Sequence, residues 1–236
     1  VESGRVSAEP SRDCALCPRL AAFRAENRRA LPSFHNAPVP AFAASEPARL
    51  LIVGLAPGLK GANRTGRPFT GDYAGDLLYA TLLHFGFAHG NYDERADDGL
   101  RLVAARITNA VRCVPPENKP TGAEIAMCNR FLAAELDALL AAPDLRVIVA
   151  LGAIAHGGVL RALGLRASRY AFGHGAEHAL ETKTGRTVSL IDSYHCSRYN
   201  TNTGRLTEPM FHAVFARAKT VCEQGAPSLP SRRLRR

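Results

Sequence analysis

No apolar run in this 236-residue chain approaches the roughly twenty residues that a membrane crossing needs. The basic N-terminal stretch has no apolar core behind it, so a signal peptide is not expected either, and the chain reads as cytoplasmic. Acidic residues are in short supply, 21 against 30 lysines and arginines, which leaves a net charge of +9. Such an excess favours a polyanionic partner such as nucleic acid, because each phosphate neutralised by a basic side chain releases counterions. Internal repeats and a second block of core-like sequence are also missing. One domain over residues 1–236 is expected, with residues 1–12 and 224–236 as flexible tails, the second ending on Arg232, Arg233, Arg235 and Arg236.

Six cysteines in a cytoplasmic setting do not suggest disulfides. Cys14 and Cys17 are separated by two residues, a gap that lets both thiolates reach one metal or cluster and that equally fits a redox pair. Cys113 and Cys128 complete a set of four whose spacing suggests a metal centre. Cys196 and Cys222 fall outside it.

The pattern of elements is strand and helix in alternation. Leu50–Val53 is short, branched and apolar, as a fully buried parallel strand is. Further strands are predicted over Leu102–Thr108, Leu145–Leu151 and Thr187–Asp192. Helices are predicted over Leu20–Arg29, through Leu77–Phe85, over Thr121–Leu140, from Gly152 to Leu163, and over Glu208–Cys222. Thr121 with Glu124 three residues on is a capping-box signature. Leu31–Pro47 reads as extended chain and Tyr170–Lys183 as a Gly/His-rich loop. Together these predict an α/β fold, a three-layer α/β/α arrangement around a central four-stranded parallel sheet.

Between the first strand and its helix lies a long glycine-containing loop with Asn63, Arg64, Arg67, Phe69, Thr70 and Asp72. Loops of that length in a compact domain are commonly functional, and ligands bind beyond the carboxyl ends of parallel strands. Its opening, Gly54-Leu-Ala-Pro-Gly-Leu-Lys-Gly61, fits neither the phosphate loop of nucleotide hydrolases, which needs Gly-Lys followed by Ser or Thr, nor the dinucleotide glycine pattern. Two more polar segments follow strand ends, Asn109–Arg112 and His195–Arg205. All three are expected at one sheet edge. Taken alone, Phe69 reads first as a core aromatic under the loop, and Asn109 reads equally as a turn residue after a strand.

The ordered set Gly54-Leu-Ala-Pro-Gly58, Asn63-Arg-Thr-Gly-Arg-Pro-Phe-Thr-Gly-Asp72, and His195-x-Ser197 followed by Asn202-Thr-Gly-Arg-Leu-Thr207 resembles the uracil-DNA glycosylase superfamily, and within it family 5, the type-b enzymes. The resemblance runs from Cys14 to about Phe215 and implies that superfamily's fold. It implies an enzyme that removes uracil and other deaminated bases, hypoxanthine among them, from double- or single-stranded DNA by hydrolysing the N-glycosidic bond. A monomer is expected. It further implies a 4Fe–4S cluster on Cys14, Cys17, Cys113 and Cys128, with zinc on the same thiolates as the alternative.

By the same resemblance, Gly54, Ala56, Phe69 and Asn109 bind the everted base, with Phe69 stacking on it and Asn109 reading its edge. His195 would donate to the base oxygen O2, where negative charge develops. Uracil-specific relatives carry a carboxylate or amide where this chain has Ala56, and family 4 has Glu where this chain has Leu55. That leaves Asp72 to orient water, with Asp76 as second candidate. Lys60, Arg64, Arg67, Arg198, Tyr199, Asn200 and Arg205 are the expected DNA contacts. The remaining histidines read as surface or satisfied core. A non-catalytic iron–sulfur or zinc protein that binds DNA on the same scaffold is the rival reading.

Overall fold

The computed structural model describes residues 7–224. The arginine-ended tail, expected to meet phosphates, lies outside the described residues. In chain order the elements are α1 (Pro18–Ala30), β1 (Phe42–Ala43), β2 (Leu50–Gly54), α2 (Ala62–Thr65), α3 (Tyr73–Phe85), β3 (Ala88–His89), β4 (Arg101–Leu102), β5 (Ala105–Asn109), α4 (Gly122–Ala141), β6 (Val147–Leu151), α5 (Ala153–Ala162), β7 (Glu177–Glu181), β8 (Thr187–Ser193), α6 (Arg198–Asn202) and α7 (Glu208–Gln224).

β2 and β6 are buried along their whole length, as branched apolar strands covered on both faces must be. Successive side chains go to opposite faces. Leu50 and Ile52 join one core with Leu78 and Leu82 of α3 and Phe211 and Phe215 of α7. Leu51 and Val53 join the other with Leu132 and Leu136 of α4 and Val159 and Leu160 of α5. The result is three layers with the sheet in the middle.

The four predicted parallel strands are present, in the order β5-β2-β6-β8, but the sheet has six. An antiparallel strand is added at each edge. β1, drawn from the stretch read as extended chain, pairs with β5; β7, drawn from the stretch read as a loop, pairs with β8. Edge strands are held by backbone pairing, and β7 fully buries little beyond Leu180, so neither carried the alternation that marks a strand. The predicted strand over Leu102–Thr108 is divided at Ala104, which takes φ 45°. The part before the break pairs with β3 in a small separate ribbon, and β5 begins after it.

α4 forms with both halves of the Thr121–Glu124 capping box. α3 starts earlier than its apolar pattern, at Tyr73, because the Asp72 carboxylate caps it by accepting from the Gly75 N–H at 3.1 Å. Within the N-terminal stretch expected to be loose, Glu9 is tied down: it accepts from the Ala41 N–H at 3.0 Å and lies 3.2 Å from the Arg112 guanidinium. No helix among the described residues is long and apolar enough to cross a membrane.

Candidate active site

The parallel strands share one carboxyl edge, and the chain reverses its direction of sheet growth around β2, with β5 on one side and β6 on the other. That is the edge at which such sheets bind ligands. Gly54, the last residue of β2, stands in register with Asn109, the last of β5. A Cβ on Gly54 would collide with both the Asn109 amide oxygen and the Phe69 ring, so this three-way approach requires glycine.

A small pocket of about 240 Å³ opens there, bounded by Ala56, Pro57, Gly58, Ala62, Phe69, Asp72, Ala74, Asn109 and His195. Its lining, one aromatic ring with a few polar groups at the edge, suits a flat ligand. Phe69 takes φ 54°, a left-handed backbone that a bulky residue adopts only when its surroundings enforce it. Part of that enforcement is Gly75, where a side chain would run into the Phe69 carbonyl. The Phe69 and His195 rings lie 5.9 Å apart and 28° from parallel.

Asn109 is 3% exposed, and its Oδ1 is buried with no hydrogen-bond partner. Such an acceptor costs roughly 1–3 kcal/mol until something donates to it. Burial pulls the His195 imidazole down to about 4, so the ring is neutral at pH 7 and carries one N–H. Its backbone carbonyl accepts from the Asn200 amide at 2.8 Å, which fixes the loop leading into α6.

Asp72 has a double position. One carboxylate oxygen caps α3, and the other faces Gly58, where a Cβ would lie 3.1 Å away. Burial raises its pKa. Asp76 sits further out, its pKa raised by burial and by Glu94 and opposed by Arg198.

The expected DNA contacts divide. Lys60 and Tyr199 are exposed, Tyr199 at 72%; Arg64 donates to the Lys60 carbonyl at 2.8 Å. Arg198 lies over the Tyr73 ring and Arg205 over the Tyr194 ring, at 5.1 and 4.6 Å. Arg67 is a correction. It is 5% exposed, forms a bidentate pair with Asp98 at 2.7 and 2.8 Å, and lies within 6 Å of the rings of Phe42, Tyr79 and Tyr92. It props the loop from beneath and does not face a ligand. Arg112, grouped by sequence with Asn109, likewise turns away and pairs with the buried Glu135. Asn200 spends its amide N–H on the loop carbonyl. Tyr73, Tyr194 and Asp98 belong to no motif that the sequence shows, and their roles appear only from their contacts.

The four cysteines meet on the other side of Ala56. Cys14, Cys17 and Cys113 pack with Cys128 in a cluster with Leu20, Val111 and Phe131 that also touches Ala56, and all four line one cavity. The Arg112 N–H donates to Cys128 Sγ at 3.3 Å, and the Arg24 guanidinium to Cys113 Sγ at 3.7 Å. Burial pushes the Cys113 and Cys128 thiols up to about 12 and 11. A bound cation reverses that preference and deprotonates its thiols outright, and donors aimed at sulfur suit the charged form. The donor set fits a thiolate-bound metal group. Elsewhere among the described residues, His156, His178 and Asp192 form a group whose donor atoms all lie within 4.8 Å of one another.

Residues 41–219 match the model of the family described as "Uracil DNA glycosylase superfamily". The chain is 48% identical to the type-5 uracil-DNA glycosylase of Thermus thermophilus, over 87% of this chain and 92% of the relative. It is 44% identical to that of Mycobacterium bovis, over 87% and 77%, and 40% identical to that of Pyrobaculum aerophilum, over 87% and 88%. With the edge pocket, the three motif segments and matches of this length in agreement, the chain belongs to the uracil-DNA glycosylase superfamily and, within it, to family 5.

Proposed function

We propose that this protein excises uracil from DNA by hydrolysing its N-glycosidic bond, leaving an abasic site. One observation carries the reading: the buried, unpartnered Asn109 Oδ1 beside Phe69 and His195. Uracil offers N3–H to that oxygen and O4 to the amide N–H, whereas cytosine presents the reversed pair. Phe69 stacks on the ring and so contributes affinity without selecting a base. The base must leave the helix to enter so enclosed a site, which costs least for a mispaired base.

The bond breaks with its electrons going to the base. Water adds to the sugar carbon, and the proton it loses ends on the departed base anion. A neutral His195 that donates to O2 binds the departing anion better than the substrate, which lowers the barrier. Asp72, with one oxygen on the cap and one toward the pocket, orients the water and steadies the positive sugar. Ala56 and Leu55 place no carboxylate in the first motif, so the pocket tolerates other deaminated bases, hypoxanthine among them. Lys60, Arg64, Arg198 and Arg205 hold phosphates of double- or single-stranded DNA. Tyr199, exposed at the start of α6, fills the vacated stack. The protein works as a monomer.

Cys14, Cys17, Cys113 and Cys128 hold a 4Fe–4S cluster, which pins the N-terminal segment to the loop after β5. Zinc on the same four thiolates is the alternative. Single-turnover cleavage of duplexes carrying U, hypoxanthine or normal bases, with iron content recorded, tests the reading. Release of U and hypoxanthine is expected. Release of U alone removes the broad specificity, and no cleavage by iron-loaded, folded protein removes the enzyme.

A further inference from the structure

Three side chains that the reaction does not use converge behind the last parallel strand. Asp192, near the end of β8, and His156, on α5, are buried, and His178 on the edge strand β7 is nearly so. His156 Nδ1 stands 2.8 Å from Asp192 Oδ1, and its Nε2 stands 3.0 Å from the Tyr170 carbonyl. A carbonyl only accepts, so Nε2 carries the ring hydrogen. The neutral ring therefore aims the Nδ1 lone pair at a carboxylate oxygen, and two lone pairs at that distance need a positive charge between them. His178 Nε2 lies 3.4 Å from the other carboxylate oxygen, close enough for an ion pair, yet it makes no hydrogen bond and is buried. A proton between His156 and Asp192 would answer the first contact and leave His178 without a partner. One cation answers both.

We propose that His156, His178 and Asp192 form a second metal site, for zinc or a like divalent transition ion, separate from the cysteine centre. Two imidazoles and a carboxylate are a donor set such ions favour, and a water completes the fourth position. Zinc bonds of about 2.0–2.2 Å put neighbouring tetrahedral donors about 3.3 Å apart. His156 Nδ1 faces one oxygen of Asp192 at 2.8 Å and His178 Nε2 the other at 3.4 Å, and one donor atom from each residue lies within 4.8 Å of the others, so small side-chain rotations bring the three onto one ion. The Nε2–H to carbonyl bond of His156 is the outer contact that commonly fixes the tautomer of a ligating imidazole. Phe172 and Tyr170 rings, 5.7 Å from His156 and His178 respectively, shield the site. An ion here ties α5, the edge strand and the end of β8 together just before the chain reaches His195.

The test uses the full chain, iron-loaded, equilibrated with micromolar Zn²⁺ and dialysed into metal-free buffer, with zinc and iron measured in the same samples. Wild type is expected to keep one zinc per chain with iron undiminished and to melt higher with zinc than without. His178→Gln, a change on an edge strand, should weaken zinc at least about tenfold and abolish the zinc-dependent rise in melting temperature, while iron stays constant. Equal zinc in wild type and H178Q overturns the proposal. So does zinc gained only in step with iron lost, which would place it on the cysteines, and so does no retained zinc in folded wild type.

Discussion

Ala56 separates two regions built on opposite plans. On one side, the edge pocket keeps a buried amide oxygen unpartnered, holds an aromatic residue in left-handed backbone, and keeps a histidine neutral by burial. On the other, four sulfurs sit in an apolar cluster with N–H donors already in place, and the nearby charges are matched: Arg112 and Arg106 both meet Glu135, and both approach Glu9. The orphaned Asn109 oxygen suits a group that arrives and departs, whereas N–H donors already aimed at sulfur suit a group that stays. The buried Arg67–Asp98 pair belongs to the second plan, although its sequence setting suggested the first.

Breaking the pocket should cost rate and spare the rest. His195→Ala is expected to slow single-turnover excision of uracil by about 100-fold or more, the scale of one lost donor to a developing anion. DNA affinity and iron content should stay as in wild type. Equal rates would remove His195 from the chemistry and dissolve the contrast.

Tyr199→Ala sharpens the boundary of the pocket region. A lost base–aromatic stack is worth about 1–3 kcal/mol, so excision from a matched duplex should weaken by about tenfold. Single-stranded substrate, which leaves no gap to fill, should be nearly unaffected. If both substrates suffer alike, Tyr199 is a general DNA contact.

The smallest effect is a slope. His195 is neutral in the fold down to about pH 4, whereas an unfolded histidine takes its proton near 6.5. As pH falls through that window the unfolded state binds more protons, so this group's contribution to stability is complete above about 6.5 and lost toward 4. His195→Gln should therefore flatten the decline of melting temperature between those values by a few degrees. An unchanged slope would place the ring in water and undo the reading of a dry pocket.

Much of the fold was legible in the sequence. The four central strands announced themselves through runs such as Leu50–Val53, where burial on both faces leaves no polar position. The capping box of α4 was legible too, since it is a local hydrogen-bond pattern. What escaped was set by distant partners. β7 shows as a strand only beside β8, and Arg67 shows as a prop only once Asp98, thirty-one positions on, is beneath it. The pocket residues Phe69, Asn109 and His195 were named from motif order and do meet at one place. Their properties, an orphaned oxygen and a neutral ring, come from packing and appear in no sequence pattern.

The most direct test measures excision and iron together in Cys113→Ala. Loss of one sulfur ligand should strip the iron and lower the melting temperature. Below that temperature, uracil excision per folded molecule should stay within a few-fold of wild type. A drop as deep as that of His195→Ala in protein that is still folded would put the cysteine centre inside the chemistry and contradict the division between the two regions.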